Sequence, residues 1–335
     1  MIKSIIKQIL PQILKKKLKV QFLKLQMIRA YYYDFKRYFK FSSTSGYDTE
    51  NKLISRIILG YHVIEKGLTM PKTRLGFGKE KLKSLCDNCI LYMKKYGDSD
   101  IQLNHAVGVV LEYKYYHDNF NFILEKDILD KINNLTSYSN NTITHTVQIS
   151  TTRDKYFKFT KDSFQDFSNS RFSVRNYLSE DIPIDKIKES LILSSNAPSA
   201  CNRQSWRTYL ITKSSEIEEI LSAQGGNRGF GHLANKLIII TSELSAFGSL
   251  SERNQAFIDG GIYAMNILYS LHYHEIAACI LNCSFSDDKD RKMRKLCDIN
   301  DSEVFIAMIA CGIPPDEFKI ACSKRYDINK TNTIK

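Results

Sequence analysis

Apolar residues recur at three- and four-residue spacing through Ile2, Ile5, Ile6, Ile9, Leu10, Ile13 and Leu14, with Lys3 and Lys7 off the stripe. The spacing predicts an amphipathic basic helix, bent at Pro11. A second apolar and aromatic stretch runs from Val20 through Tyr31, Tyr32, Tyr33 and Phe35 to Phe41, with lysine and arginine interleaved. Ser42 to Gly46 is a polar break and a boundary. Residues 50–133 then carry helical patterning in four stretches, 51–68, 79–96, 101–120 and 123–132, with a glycine-rich turn at Arg74 to Gly78. The polar tract from Asn133 to Thr152 reads as a linker in which ITHTVQIS can form an edge strand.

After about residue 160 the pattern changes to short apolar strands alternating with helices. Strands are expected at Tyr209 to Thr212, Leu237 to Thr241, Ala277 to Leu281 and Val304 to Cys311. Helices are expected near Asp185 to Ser195, Ser215 to Ala223, Asn254 to Tyr273 and Asp287 to Cys297. The third of these helices is apolar around most of its circumference, which predicts burial, either centrally or in a subunit interface. The chain thus divides into a basic amphipathic arm (1–45), a helical N-terminal domain with its linker (46–160) and an α+β domain (161–335).

Charge changes the picture of the arm. The whole chain carries a formal +12, and residues 1–40 hold eleven basic residues against the single acid Asp34, a net +10 that leaves +2 for the other 295 residues. Apolar side chains with lysines suit an anionic membrane surface, reached through residues 1–41. A helix packed on its own domain or on a partner subunit explains the same residues, and a nucleic-acid backbone is a weaker reading. No stretch reaches the ~18 apolar residues of a membrane span, and the start lacks a leader pattern. The expectation is a cytoplasmic protein, with peripheral attachment at the inner face of the membrane as the arm's open question.

The eight cysteines are expected to be reduced thiols. Cys86 and Cys89 form a lone CxxC within a helical pattern, without the second ligand pair a zinc site wants. His272 and His274 diverge on a helix, so no metal pair is expected there. Gly225 to Gly231 reads GxxGxG, not a nucleotide fingerprint, and is taken as a flexible loop over a pocket. Glu65 and Lys66, within Tyr61 to Leu68 (YHVIEKGL), are read as bracing a helix.

The chemistry gathers around two segments. In Arg171-Phe172-Ser173-Val174-Arg175 the positions i, i+2 and i+4 share one side of an extended chain, so two guanidiniums and a hydroxyl can converge on a phosphate or an electron-rich ring edge. A solvated basic strand is the plain alternative. Ala197 to Trp206 joins a rigid turn to Ser199, Asn202 and Gln204, which can approach a planar heterocycle without adding charge.

Taken together, these segments resemble the opening of the nitroreductase family, with its Arg-x-Ser-x-Arg/Lys motif and, about 25 residues later, a Pro-Ser-x-x-Asn-x-Gln-Pro-Trp loop. The resemblance spans roughly residues 161–330. It implies a nitroreductase fold, a helix-covered mixed sheet in a domain-swapped homodimer, with FMN at the subunit interface and NADH or NADPH as electron donor to a small-molecule acceptor. Arg171, Ser173 and Arg175 would hold the FMN phosphate, ribityl chain and pyrimidine edge. Pro198, Ser199 and Asn202 would reach the flavin from the partner. Asn282 and Cys283 match the place where backbone amides approach N5 and O4, and Ser323 and Arg325 match basic-segment contacts to the phosphate. No catalytic acid or base is implied, because the chemistry belongs to flavin N5. The chain departs from the pattern at Ser205, where proline is usual, and at His274-Glu275, where many members carry Leu-Gly. YHVIEKGL and RLGFG resemble the extra helical region of nitroreductase-like proteins associated with bacterial surface-polysaccharide clusters. The alternative function is a membrane-associated accessory protein of polysaccharide biosynthesis that uses the flavin fold as a binding module without turnover.

Overall fold

The computed structural model describes residues 11–41, 46, 49–138, 147–247 and 250–335. The chain divides into two compact units, Met1–Arg56 and Ile57–Lys335. In the first, α1 (Gln12–Phe41) is a single helix that starts immediately after Pro11, where a residue lacking an N–H does no harm. The expected stripe from Ile2 to Leu10, with its bend at Pro11, and most of the Ser42–Gly46 break lie outside the described residues. α1 exposes Ile13, Phe22, Leu25 and Ile28 to solvent, with no acid in its first turn.

The second unit begins within α2 (Glu50–Leu68) and continues through α3 (Lys79–Tyr96), α4 (Ile101–Asn119) and α5 (Lys126–Tyr138). α4 starts where Asp100 accepts hydrogen bonds from the Gln102 and Leu103 amides, satisfying N–H groups that have no partner inside the helix. α3 and α5 bury Leu85, Cys86, Cys89, Ile128 and Ile132. The CxxC pair is therefore core, and burial pushes the Cys86 thiol up to about 12. All eight cysteines are free. Among the described residues no cluster of three potential metal ligands exists, and no helix is long and apolar enough to cross a membrane.

β1 (Gln148–Thr152) pairs antiparallel with β6 (Glu317–Ala321), so the ITHTVQIS tract does contain a strand. Thr152 ends β1 and caps the short helix α6 (Arg153–Phe157) by accepting from the Lys155 amide. α7 (Phe164–Ser170) and α8 (Ile184–Ser194) follow, then β2 (Trp206–Ile211), α9 (Ser214–Gln224), β3 (Lys236–Glu243), α10 (Gln255–Tyr273), β4 (Ala277–Asn282), α11 (Asp287–Cys297), β5 (Glu303–Gly312) and, after β6, α12 (Ile328–Thr331).

The main sheet has the order β2-β3-β5-β4, and each of its ladders is antiparallel. This corrects the expected mixed sheet. The connections through α9 and α11 return the chain to the end of the sheet it left, so a helix between two strands does not make them parallel. Residues 57–138 lie in the same compact unit as the sheet.

β3 is buried on both faces. Leu237 and Ile239 join one core layer with Ile217, Ile220 and Leu221 of α9 and Met293 of α11. Ile238 and Ile240 join the other, with Ile187 of α8 and Tyr263, Ile267 and Leu271 of α10. The period-2 alternation of a strand thus feeds two helical layers. The register shifts between Ile240 and Thr241, across from Ile306, and a Cβ on Gly260 of α10 would lie 2.6 Å from that side chain. α10 can sit this close only because residue 260 is glycine. Its opposite face leaves Phe257, Ile258 and Ile262 exposed, so burial of this apolar helix is one-sided within the chain.

Gly312 at the end of β5 is the second close approach. A Cβ there would stand 2.3 Å from Tyr177 Cγ. The ring cannot retreat, because its hydroxyl donates to the Val174 and Ala310 carbonyls at 2.7 and 3.1 Å. Gly312→Ala is expected to destabilise the unit by about 2 kcal/mol through overpacking. Denaturant unfolding measures this, and an unchanged midpoint would contradict the assigned contact.

Candidate active site

Arg171 follows α7, and the next residues run extended, tied by Val174 N to Ala278 O at 3.1 Å and Leu178 N to Ile313 O at 2.8 Å. Val174 points into the core, so its neighbours Ser173 and Arg175 turn the other way. Both reach the thiol of Cys279, which burial pushes up while Arg175 and Lys66 pull it down. Arg171 joins a different group. With Ser323, Lys324 and Arg325, from the turn after β6, it lines a cleft of about 600 Å³ whose apolar side includes Ile101, Met265 and Tyr269. The expected convergence of Arg171, Ser173 and Arg175 is thus spread along the chain, about 13 Å from first to fifth residue by strand rise.

The site suits an elongated ligand with an anion at one end. The Nε atoms of Arg171 and Arg175 are buried, without a hydrogen-bond partner among the described residues. A buried donor left unpaired costs about 1–3 kcal/mol, which a ligand's acceptor would offset. Around Arg175 stand further basic side chains. Burial and the Arg175 guanidinium hold Lys66 and His62 below their ordinary values, and Arg228 adds to the effect on Lys66. The Lys66 ammonium also donates to Gly226 O at 3.2 Å.

The loop from Pro198 to Gln204 does not line the Arg171 cleft of its own chain. Cys201, Asn202 and Gln204 all take positive φ, and side-chain bonds hold them there. Ser199 Oγ accepts from the Gln204 amide at 3.0 Å, and buried Asp259 accepts from the Ala200 amide at 3.1 Å. Ser205, in place of the usual proline, is buried with its hydroxyl 2.8 Å from that of Ser242. Asn282 ends β4 and its carbonyl accepts from Gln224 at 3.0 Å, which sets the backbone leading to Cys283. The Gly225–Gly231 loop is tied to α9, with Asn227 donating to Leu221 O at 2.5 Å and to Gln224 Oε1 at 3.0 Å, and closes on itself through the Gly231 amide and the Asn227 carbonyl at 2.9 Å. His274 faces α8, 2.8 Å from Ser190 Oγ, and Glu275 occupies the positive φ where glycine is easiest.

Several residues at the site escaped the motif reading. Lys66, read only as bracing a helix, and its neighbour His62 lie far upstream, and Lys324 sits between two residues that were named. Asp259 was visible as the lone acid of an otherwise apolar helix. Glu65 does not merely brace α2: its fully buried carboxylate accepts from the Ser323 amide at 3.1 Å and lies 3.0 Å from His105 Nε2.

Residues 169–313 match the model of the nitroreductase family, so this stretch is a nitroreductase family domain. Among solved structures the chain is similar to a protein described as an NADH oxidase from Clostridium acetobutylicum, at 20% identity and TM-score 0.44, covering 50% of this chain and 99% of that one. It is also similar to a protein described as an NAD(P)H:FMN oxidoreductase from Staphylococcus epidermidis, at 18% identity and TM-score 0.46, covering 51% and 95%. A third is an FMN-dependent nitroreductase from Clostridium difficile, at 20% identity and TM-score 0.40, covering 49% and 92%. No curated protein matches the chain.

Beside Arg171, His272 Nε2 lies 2.8 Å from Ser170 Oγ, and burial, reinforced by the guanidinium, holds the imidazole down to about 4 from 6.5. The fold therefore favours neutral His272. Its contribution is complete above pH 6.5 and is lost as pH falls toward 4. His272→Gln, which does not titrate, is expected to lose less stability than wild type between about pH 7 and about pH 4.5, by on the order of 2 to 3 kcal/mol. Parallel thermal melts across this range check it, and identical acid limbs would refute it.

Proposed function

We propose that the protein is an FMN-dependent oxidoreductase that takes reducing equivalents from NADH or NADPH and delivers them to a small-molecule acceptor. The observation that carries the reading is the cleft shared by Arg171, Ser323 and Arg325, set within and beside a nitroreductase family domain. When bound, FMN supplies hydride transfer at its N5 atom. Arg171, Ser323 and Arg325 hold the phosphate, Ser173 meets the ribityl chain, and Arg175 offers positive charge to the pyrimidine edge. Asn282 and Cys283 present backbone amides to the ring. The working unit is a homodimer in the cytoplasm. The exposed apolar face of α10 supports a subunit interface, and the Pro198, Ser199 and Asn202 loop, apart from the cleft of its own chain, serves the partner's site.

Purified protein is expected to carry flavin or take up added FMN, with absorbance bleached by anaerobic NADH or NADPH and restored by an acceptor. No flavin binding defeats the reading, and bound flavin that neither nucleotide bleaches favours the accessory module without turnover. Arg325→Ala is expected to weaken FMN affinity at least about tenfold, consistent with loss of a charge-assisted contact. Unchanged affinity would contradict the phosphate assignment.

A second reading concerns the arm alone. Exposed apolar side chains interleaved with lysines along α1 support association with an anionic membrane surface. Full-length protein is expected to co-sediment with phosphatidylglycerol-containing vesicles more than a chain lacking residues 1–41, with salt weakening the difference. Equal sedimentation removes the reading.

A further inference from the structure

The turn that bears Ser323, Lys324 and Arg325 is strained and anchored from outside the nitroreductase family domain. Ser323 sits at φ 47°, a left-handed conformation that side chains other than glycine's rarely hold without support. Support comes from two helices. On α2, Tyr61 and Glu65 are one turn apart, and on α4, Gln102 and His105 are likewise on one face. They pair as two rungs. The Tyr61 hydroxyl donates to Gln102 Oε1 at 2.6 Å, and His105 Nε2 lies 3.0 Å from Glu65 Oε1, with the Tyr61 and His105 rings edge-on at 4.9 Å.

Each rung ends on the backbone of the turn. Glu65 Oε1 accepts from the Ser323 amide at 3.1 Å, and Gln102 Nε2 donates to the Lys324 carbonyl at 3.1 Å. Gln148 of β1 donates to the Glu65 carbonyl at 3.3 Å, while β1 itself pairs with β6, which leads into the turn. The contacts grip peptide groups and leave the Ser323, Lys324 and Arg325 side chains on the cleft. Glu65 is fully buried, and its second oxygen has no partner among the described residues. A buried carboxylate is costly unless it is well paired, so packing alone does not account for an acid at this position.

We propose that Glu65 and Gln102 are positioning residues for the cofactor phosphate: they lock the 323–325 turn so that its side chains meet the anion in a ready geometry. The inference rests on the FMN reading above. It makes the helices before the family domain part of the cofactor site and assigns YHVIEKGL a specific task.

Flavin fluorescence titrations of the full chain with FMN and with riboflavin, which lacks the phosphate, test it. Wild type is expected to prefer FMN. Glu65→Gln and Gln102→Met are each expected to lower FMN affinity about tenfold while riboflavin affinity changes less than about twofold, since only the phosphate grip depends on the turn. If Glu65→Gln does not fold, Gln102→Met decides, because it retains side-chain volume and alters only the bonds of the Gln102 amide. Parallel losses for both flavins, or no loss for either, overturn the proposal while leaving the FMN reading intact. A wild-type protein that does not bind FMN, or does not distinguish it from riboflavin, overturns the phosphate assignment and this proposal together.

Discussion

Burial of β3 and β5 on both faces is the constraint from which the rest of the second unit follows. A sheet whose central strands carry the apolar runs Leu237–Ile240 and Phe305–Cys311 must be covered twice, and α8 with α10 on one side and α9 with α11 on the other provide the layers. The edge strand β4 then has one side free, and the extended Arg171 to Arg175 segment binds to it through Val174 and the Ala278 carbonyl. The arginines are therefore mounted on a rigid edge, with their spacing set by strand rise.

Collecting basic groups is unfavourable in itself, and the structure holds them in place by anchoring the backbone that carries them. Lys66 and His62 lose basicity beside Arg175, and the buried Nε atoms of Arg171 and Arg175 lack acceptors among the described residues. Asp327 also lines the cleft, with its carboxylate accepting from the Asn329 amide at 2.8 Å. Glu65 takes the Ser323 N–H at 3.1 Å, so it shapes the turn from a fully buried position. A preformed cluster of this kind needs little reorganisation to meet an anion, as the proposed cofactor phosphate requires.

Much of the fold was legible locally. The helices at 79–96, 255–273 and 287–297 follow from periodicity within one residue, because 3.6-residue repeats and local caps are short-range properties. β6 was missed because EFKIA is short and follows a Pro-Pro pair, and its partner β1 lies some 170 residues upstream in sequence. Strand directions were equally hidden, since a helical connection can return to either end of a sheet. The motifs pointed to Arg171, Ser323 and Arg325, and those three share a cleft, but nothing in a local pattern joins Glu65 to Ser323 across 258 positions.

By itself the sequence determined most of the helices and the four strands of the main sheet, which side chains are apolar enough to be core, and that Arg171, Arg175 and Arg325 were available to an anion. Those are properties of neighbouring residues, set by backbone geometry and hydrophobicity. Only tertiary structure decided that Arg171 meets the C-terminal turn, that Arg175 keeps company with Lys66, and that an upstream helix pair holds Ser323 in a strained conformation. Each is a contact between distant segments, and its existence depends on how two buried faces of one sheet are filled.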